Sequence, residues 1–143
     1  MKRIGIIGAG RFGSALAEYL VRRGAEVVLL DRRADMVQRL ASIVPHVVEA
    51  DVSDIGALRE AGFASCDAVV VAIGTNIESS ILAVMNLQEL EVPQIVAKAS
   101  SDLHGKVLDR IGVDLVVYPN RERAYRLARS LLARSALDYF EVS

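Results

Sequence analysis

Residues 3–16 read RIGIIGAGRFGSAL, and this stretch decides the fold. Glycine stands at positions 8, 10 and 13, which gives the spacing G-x-G-x-x-G directly after a β-branched run. In this setting Gly8 permits a tight turn, Gly10 leaves room for a phosphate beside the backbone, and Gly13 lets a helix pack closely on the strand. The free N–H groups at the start of that helix favour an anion. The motif therefore predicts a phosphate-binding turn, with a ligand-free glycine turn as the alternative.

Strand and helix patterns alternate outward from this motif. Phe12, Leu16 and Leu20 recur at the spacing of an amphipathic helix, which stops at Gly24. Besides the first strand, Arg3–Gly8, apolar runs predict strands at Ala25–Leu30, His46–Ala50, Ala68–Ala72, Gln94–Ala97 and Asp114–Tyr118. A helix is predicted over Asn76–Leu90, with Ile77, Ile81, Val84 and Leu87 on its inward face, and another over Asp102–Ile111, with Asp102 as its N-cap. Six strands separated by helices predict a Rossmann-type α/β domain, a doubly wound six-stranded parallel sheet in the order 3-2-1-4-5-6.

Asp31 ends the second strand, near the 20-residue offset expected for the acidic residue that bonds a ribose. Its carboxylate disfavours the 2′-phosphate of NADP, although the adjacent Arg32 and Arg33 weaken that repulsion. NAD, ATP, ADP and AMP all carry the same free ribose, so the sequence predicts an adenine nucleotide without choosing among them. A plain turn aspartate is the alternative for Asp31.

Asp51 and Val52 follow the third strand, at the sheet edge where an adenine ring would lie. The same stretch also fits a helix N-cap by Ser53 or Asp54, and the two interpretations carry equal weight. Both remain open from the sequence.

Two further strand ends predict ligand contacts at this edge. Gly74 follows the fourth strand and allows close approach to a ligand, while Asn76 is either a contact or a plain helix cap. Lys98 ends the fifth strand and either faces the phosphates or is solvated.

Composition narrows the functional class. The chain has 143 residues, a formal net charge of −1 and one cysteine, Cys66. It is therefore expected to form one domain, without an internal disulfide, in a reducing compartment. The balanced charge does not favour nucleic acid, and no apolar run approaches the roughly 18 residues of a membrane span.

The residue inventory does not favour an enzyme. The nucleotide-binding unit occupies nearly the whole chain, which leaves no substrate domain. Of the two histidines, His46 is expected far from the phosphate edge, and His104 is expected to be solvated or capping in the first turn of a helix. No clustered metal-ligand spacing, nucleophile elbow or Walker motif is present. We therefore predict no catalytic and no metal site.

Several of these segments together resemble the RCK domain (regulator of potassium conductance), also called the TrkA N-terminal domain. The resemblance rests on residues 6–13, Asp31, the Asp51 turn and residues 70–76, 97–99 and 117–119. The arginine within the glycine loop and the Ala-Ile-Gly-x-Asn stretch are more specific than the glycines alone. The likeness extends from about Lys2 to Val142.

The resemblance implies a regulatory module that binds NAD(H), ATP, ADP or AMP and gates a potassium channel, transporter or antiporter. It implies a cytoplasmic location at the inner face of the membrane, through a membrane-embedded partner. The expected nucleotide-binding residues are Gly8, Gly10, Arg11, Phe12, Gly13, Asp31, Arg32, Asp51, Val52, Ala72, Gly74, Asn76 and Lys98. Arg11 would contact phosphate. The alternative is the NAD-binding domain of an oxidoreductase cut from a longer chain, or a nucleotide-binding module of another signalling or transport protein.

Two departures from the family pattern stand out. Potassium-uptake relatives often carry glutamate after the proline that ends the sixth strand, where this chain has Asn120 and, two residues on, Glu122. The sequence therefore leaves open whether a cation takes part in regulation. Relatives also commonly continue into a smaller C-terminal domain, whereas this sequence stops at Ser143.

The C-terminal segment is predicted to be an assembly surface. A last helix over Arg121–Arg134 carries an apolar stripe of Ala124, Leu127, Ala128, Leu131 and Leu132, with Arg123, Arg126 and Arg129 on another side. An apolar tail follows, with Leu137, Tyr139, Phe140 and Val142. Covering of one sheet face is the alternative for the helix. We expect a Rossmann domain over 1–135, a tail or linker over 136–143, and a twofold homodimer or higher ring.

Overall fold

The computed structural model describes residues 2–133. Its six strands are β1 (Arg3–Ile7), β2 (Glu26–Asp31), β3 (His46–Glu49), β4 (Ala68–Val71), β5 (Ile95–Lys98) and β6 (Leu115–Val117). Its helices are α1 (Arg11–Arg22), α2 (Ala34–Leu40), α3 (Ile55–Glu60), α4 (Ile77–Glu89), α5 (Asp102–Arg110) and α6 (Pro119–Leu132). A short 3₁₀ turn at Phe63–Ser65, which the sequence pattern did not predict, precedes β4.

All neighbouring strands pair in parallel, and the sheet order is β3-β2-β1-β4-β5-β6. The predicted fold class and strand order are confirmed. The order reverses direction between β1 and β4, so the loops after these two strands diverge and leave a crevice at the carboxyl edge of the sheet.

Two apolar cores cover the faces of the sheet because successive strand residues point to opposite sides. On one face Ile6 and Leu29 pack with Ala17 of α1 and Leu40 of α2. On the other face a larger cluster includes Phe63, Leu87 of α4 and Leu108 of α5. The sheet is therefore buried on both faces, as the continuous apolar strands predict.

The inward face of α4 differs from the prediction. Ile77, Ile81, Val84 and Leu87 were expected inward, but Ser80, Ala83, Val84 and Leu87 are the buried residues and Ile77 is exposed. Small side chains face the sheet here because they let the helix approach it closely. A prediction based on the spacing of large apolar residues does not identify them.

The N-cap of α5 also differs from the prediction. The cap is Ser101, whose hydroxyl accepts the backbone N–H of His104, and Asp102 is the first helical residue.

The last helix begins at Pro119, two residues earlier than predicted, and none of its residues is buried. Among its apolar side chains, Leu127 is 59% exposed and Leu131 75% exposed. Near its start, Arg121 pairs with Asp102 and lies over the Tyr118 ring. Covering of a sheet face, the alternative interpretation of this helix, is therefore wrong for the described part of the chain. The predicted tail at 136–143 and the last predicted helical residue, Arg134, lie outside the described residues.

Candidate functional site

The turn between β1 and α1 has the backbone shape that glycine permits. Gly8 has a φ of +108°, and its N–H donates to the carbonyl of Leu30 on β2 at 2.8 Å. The Ser14 hydroxyl donates to the carbonyl of Ala9 at 2.8 Å, which fixes the turn against the helix. The first turn of α1 carries no acidic residue, and its N-cap, Gly10, makes no side-chain cap bond. The N–H groups of this helix end can therefore serve an anion.

Gly10 and Gly13 are glycine for different reasons. A Cβ at Gly13 would lie 1.9 Å from the carbonyl oxygen of Gly8, so any side chain there would push α1 away from the turn. A Cβ at Gly10 would meet nothing within 4 Å, so the space in front of this residue is open. The domain itself requires glycine at 13, whereas only a ligand close to the backbone requires it at 10.

Asp31 joins the phosphate turn to the end of β2. Its side chain is 5% exposed, and Oδ2 accepts the backbone N–H of Ala9 at 2.7 Å. Arg33 donates its backbone N–H to Oδ1 at 2.8 Å, and its guanidinium bonds both carboxylate oxygens. Burial raises the pKa of Asp31, but these bonds from Arg33 and Ala9 outweigh burial and hold the pKa below its ordinary value. The carboxylate is therefore ionised at neutral pH.

A cleft of about 280 Å³ opens at the carboxyl ends of β1, β2, β4 and β5. The predicted site residues that line it are Gly8, Gly10, Asp31, Arg32, Asp51, Val52, Ala72, Gly74, Asn76 and Lys98. At its far wall the Lys98 ammonium lies 3.4 Å from the position of a Cβ on Gly74. The paired Asp31 and Arg33 at the end of β2 and the ammonium of Lys98 at the end of β5 thus line the same cleft.

Arg11, Phe12 and Gly13 are absent from the lining. Arg11 is exposed at the first residue of α1, and Gly13 is buried beneath the turn. Phe12 packs against the core formed with α1 and α2, so its side chain has a structural role, and only its backbone N–H lies at the helix end.

The loop after β3 contains both a helix cap and residues that line the cleft. Asp54 is the N-cap of α3, accepting the N–H of Ala57 at 3.0 Å. Asp51 instead lines the cleft and accepts both the N–H and the hydroxyl of Ser53. These bonds, the backbone one first, lower the pKa of Asp51. Asp51 is therefore an ionised group at the end of the cleft beside β3.

Asn76 combines both interpretations offered for it. Its side chain accepts the N–H of Ser79 at 3.0 Å and so caps α4, and the residue also lines the cleft.

The model of the TrkA-N domain family matches residues 4–119. The chain belongs to the TrkA-N family. Among curated proteins, Ktr system potassium uptake protein C of Bacillus subtilis (strain 168) is 42% identical over 142 residues. That alignment covers 99% of this chain and 64% of the relative, so the chain spans less than two thirds of that protein.

Solved structures agree with the family. The TrkA-N domain of the inner membrane protein ybaL from Escherichia coli has a TM-score of 0.78 at 22% identity, covering 92% of this chain and 97% of that one, and supports the fold alone. GsuK bound to ADP has a TM-score of 0.73 at 28% identity, covering 90% of this chain and 33% of that one.

His104 of this TrkA-N domain is not the solvated or capping residue that was expected. It is 2% exposed, and its Nδ1 accepts the N–H of Ser100 at 3.0 Å. The proton of the neutral ring is therefore on Nε2, which lies 3.1 Å from the hydroxyl of buried Ser80. Burial lowers the pKa of His104, so the ring stays neutral and ties α5 to α4. A position in the first helical turn gives no signal for this burial.

Sequence reasoning also missed Asn86 and the role of Arg33. The Asn86 amide donates to the carbonyl of Val52 at 2.7 Å across 34 residues of chain, and so anchors the loop beside the cleft. The sequence signal for it is an amide directly after the apolar run Ile81–Met85 of this helix. Arg33 lines the cleft beside Asp31, while the prediction placed Arg32 there alone.

A second depression adjoins the cleft and shares Gly74, Thr75 and Lys98 with it. Asn120, at the position where glutamate was expected in relatives, lines this depression together with Arg121. In residues 2–133 no group of three His, Cys, Asp or Glu side chains is placed to hold a metal ion. Across the same residues no helix has both the length and the hydropathy that a bilayer crossing requires.

Proposed function

We propose that this TrkA-N domain is a regulatory sensor that binds an adenine nucleotide and passes the ligand state to a potassium channel or transporter. The nucleotide lies in the cleft with its phosphates at Gly8–Gly10, its ribose at Asp31 and its adenine beside Asp51 and Val52. The related GsuK structure is that of the protein bound to ADP, and the Bacillus subtilis relative is named for potassium uptake. Both properties are extended to this chain as part of the proposal.

The observation that carries the proposal is the bond between Asp31 and the N–H of Ala9. It holds the ribose-binding carboxylate against the phosphate turn at 2.7 Å, so the two subsites are already in register. A ligand with ribose and phosphate at the spacing of a nucleotide meets both without rearrangement of the backbone. The cost of ordering the site is therefore small.

Calorimetric titration of the full chain with ATP, ADP, AMP, NAD and NADP tests this proposal. We expect binding of ligands with a free 2′-hydroxyl and much weaker binding of NADP, since Asp31 repels a 2′-phosphate. Asp31→Asn should weaken binding by about 1–3 kcal/mol, the range for a lost or unpaired charged hydrogen bond. Asp109→Asn, an exposed change on α5, is the matched control. Equal affinity for NAD and NADP contradicts the ribose assignment.

The output of the sensor is proposed to pass through α6. Strand β6 ends at Val117, and α6 starts at Pro119, so the helix is tied directly to the sheet edge that carries the ligand. Its exposed leucines supply a self-complementary surface for a twofold homodimer, on its own or within a larger ring. A nucleotide that binds one angle between subunits better than another shifts the population toward it. A membrane-embedded partner at the inner, cytoplasmic face would receive that change.

The proposed role requires no turnover. The cleft holds no nucleophile–base pair among the described residues that line it, and its carboxylates are both engaged in structural bonds. Purified protein should leave NADH and ATP unchanged above background. Sustained ATP hydrolysis that disappears in Gly10→Asp would defeat this part. We further propose residues 1–135 as the nucleotide-binding domain, with 136–143 starting a linker.

A further inference from the structure

The acceptor capacity of Asp31 is fully used within the chain. Oδ1 accepts the backbone N–H of Arg33 at 2.8 Å and its Nε at 3.0 Å. Oδ2 accepts the N–H of Ala9 at 2.7 Å and Nη2 of Arg33 at 3.0 Å. An ionised carboxylate offers about four acceptor positions, so a ribose diol meets a carboxylate that already has its full set of donors.

Two of these four bonds can be exchanged and two cannot. The N–H groups of Ala9 and Arg33 belong to the main chain at the phosphate turn and at the start of α2, and their places are fixed by the fold. The guanidinium is on a side chain that is 50% exposed, at the rim of the cleft. It can leave without any change in the backbone.

The guanidinium also matches the ligand chemically. Its Nε–H and Nη2–H form a fork of two parallel donors, one to each oxygen of Asp31. The 2′- and 3′-hydroxyls of a ribose likewise present two neighbouring donors. Arg33 thus fills the place where the proposed function puts the diol.

We propose that Arg33 is a self-ligand of the ribose subsite, which an incoming nucleotide must displace from Asp31. The proposal rests on the proposed function, since it assumes that a nucleotide enters this cleft. Arg33 keeps a buried carboxylate paired while the site is empty, because an uncompensated buried charge is strongly destabilising. It also limits how much a ribose diol gains, because two charged bonds are lost when two hydroxyl bonds are made.

The experiment compares ATP with 2′,3′-dideoxy-ATP by calorimetry on the full chain. The dissociation constant of dideoxy-ATP divided by that of ATP measures the contribution of the diol to binding. The variants are Arg33→Met, which keeps the length of the side chain without its donors, and Arg39→Met, the same change at an exposed arginine on α2 that does not line the cleft. Arg33→Lys retains the charge but cannot form the fork, and it guards against a folding defect in Arg33→Met.

We expect Arg33→Met to raise the ratio by about tenfold, the equivalent of one charge-assisted hydrogen bond. The gain should come from tighter ATP binding, with dideoxy-ATP unchanged. Arg33→Lys should raise the ratio less, and Arg39→Met should leave it unchanged.

Weaker ATP binding in Arg33→Met at an unchanged ratio would make Arg33 an ordinary ligand contact and overturn the inference alone. Failure of the unaltered chain to bind ATP would remove the proposed function and the inference together. The two failures are therefore distinguishable in one set of titrations.

Discussion

The proposed ribose–phosphate edge, which consists of the turn at Gly8–Gly13 and Asp31, differs from helix α6 in burial and in hydrogen bonding within the chain. At the edge, Asp31 is buried and every acceptor on its carboxylate has a donor from the same chain. On α6 no residue is buried, and Leu131 and Leu132 are 75% and 83% exposed. The edge is shaped before a ligand arrives, whereas the helix presents apolar surface that the described part of the chain leaves uncovered. The two regions therefore require different measurements. Unfolding and ligand selectivity test the edge, and self-association tests the helix.

Gly13→Ala should have the largest effect, because it disrupts the packing of α1 against the turn. The new methyl group would overlap the carbonyl of Gly8, so α1 must move off the turn. We expect a loss of about 3 kcal/mol or more in the free energy of unfolding, at the upper end for overpacking. Urea denaturation followed by circular dichroism measures it.

Gly10→Ala is the matched control for this change. Its Cβ meets nothing within 4 Å, so the free energy of unfolding should stay within about 0.5 kcal/mol of the original while ATP binding weakens. Equal destabilisation by both substitutions would contradict the distinction between a glycine required by the fold and one required by a ligand.

Leu131→Asp tests the other side of the comparison. A charge on the exposed stripe should abolish self-association of the full chain, measured by light scattering at tens of micromolar, roughly where a modest interface associates. The fold of each subunit should be unaffected, because Leu131 has no burial to lose.

Arg126→Asp introduces the same residue on another side of α6 and should leave association intact. A full chain that is already monomeric would show that the uncovered leucines are not a dimer surface, and the route from nucleotide to partner would then need another element.

His104 belongs to neither region and ties the loop after β5 to α4. Its folded pKa is lowered by burial, so the unfolded chain binds the proton more tightly. The neutral, buried ring of His104 therefore stabilises the fold fully above the ordinary histidine pKa of 6.5. This stabilisation is lost as the pH falls below 6.5 and through the lowered pKa of the folded state. The slope should reach at most about 1.4 kcal/mol per pH unit.

Urea denaturation at a series of pH values between about 7.5 and 5 measures this slope. His104→Gln should flatten it, and Leu103→Gln, an exposed change on the same helix, should not. The titration of Asp31 is separate, because its lowered pKa affects the slope only below its ordinary value of 3.8, where the stabilisation that the ionised carboxylate provides at higher pH is lost. An unchanged slope in His104→Gln would mean that other groups carry the acid sensitivity.

Asn86→Leu should give the smallest effect. It removes the amide that holds the carbonyl of Val52, a bond worth about 1 kcal/mol. We expect adenosine and ATP to lose affinity by the same few-fold factor, because both use the adenine side of the cleft. Titrations of the two ligands check this, with Asn86→Gln as the conservative comparison. A loss confined to ATP would place the effect at the phosphates instead.

The central part of the fold was predictable because its signals are local. The glycine spacing, the strand that precedes it and Asp31 after the second strand are close in sequence, and the parallel order follows from the alternation of strands and helices. These signals correctly bring Asp31, Gly74 and Lys98 to one cleft.

What the sequence did not reveal depends on contacts between distant segments. His104 is buried because Ser80 on α4 faces it across 24 residues of chain, and Asn86 reaches Val52 across 34. Contacts between residues so far apart in the sequence produce no periodic pattern from which they could be predicted. The inward face of α4 was misjudged at Ile77 because close packing selected small residues, which hydropathy does not rank as core. The sequence analysis considered Arg33 only for its charge. Its two guanidinium hydrogen bonds to Asp31 depend on the conformation of the side chain, which the sequence does not show.

The contrast between Gly10 and Gly13 bears on how relatives of this domain diverge. A lineage that abandons its nucleotide is released from the constraint at Gly10, where a side chain has open space, but it must still keep Gly13 beneath the turn. Mutations should therefore accumulate at the first of these positions and be purged at the second. Within the family, we expect a chain that retains glycine at 13 and has replaced it at 10 to keep this fold without binding a nucleotide at this turn.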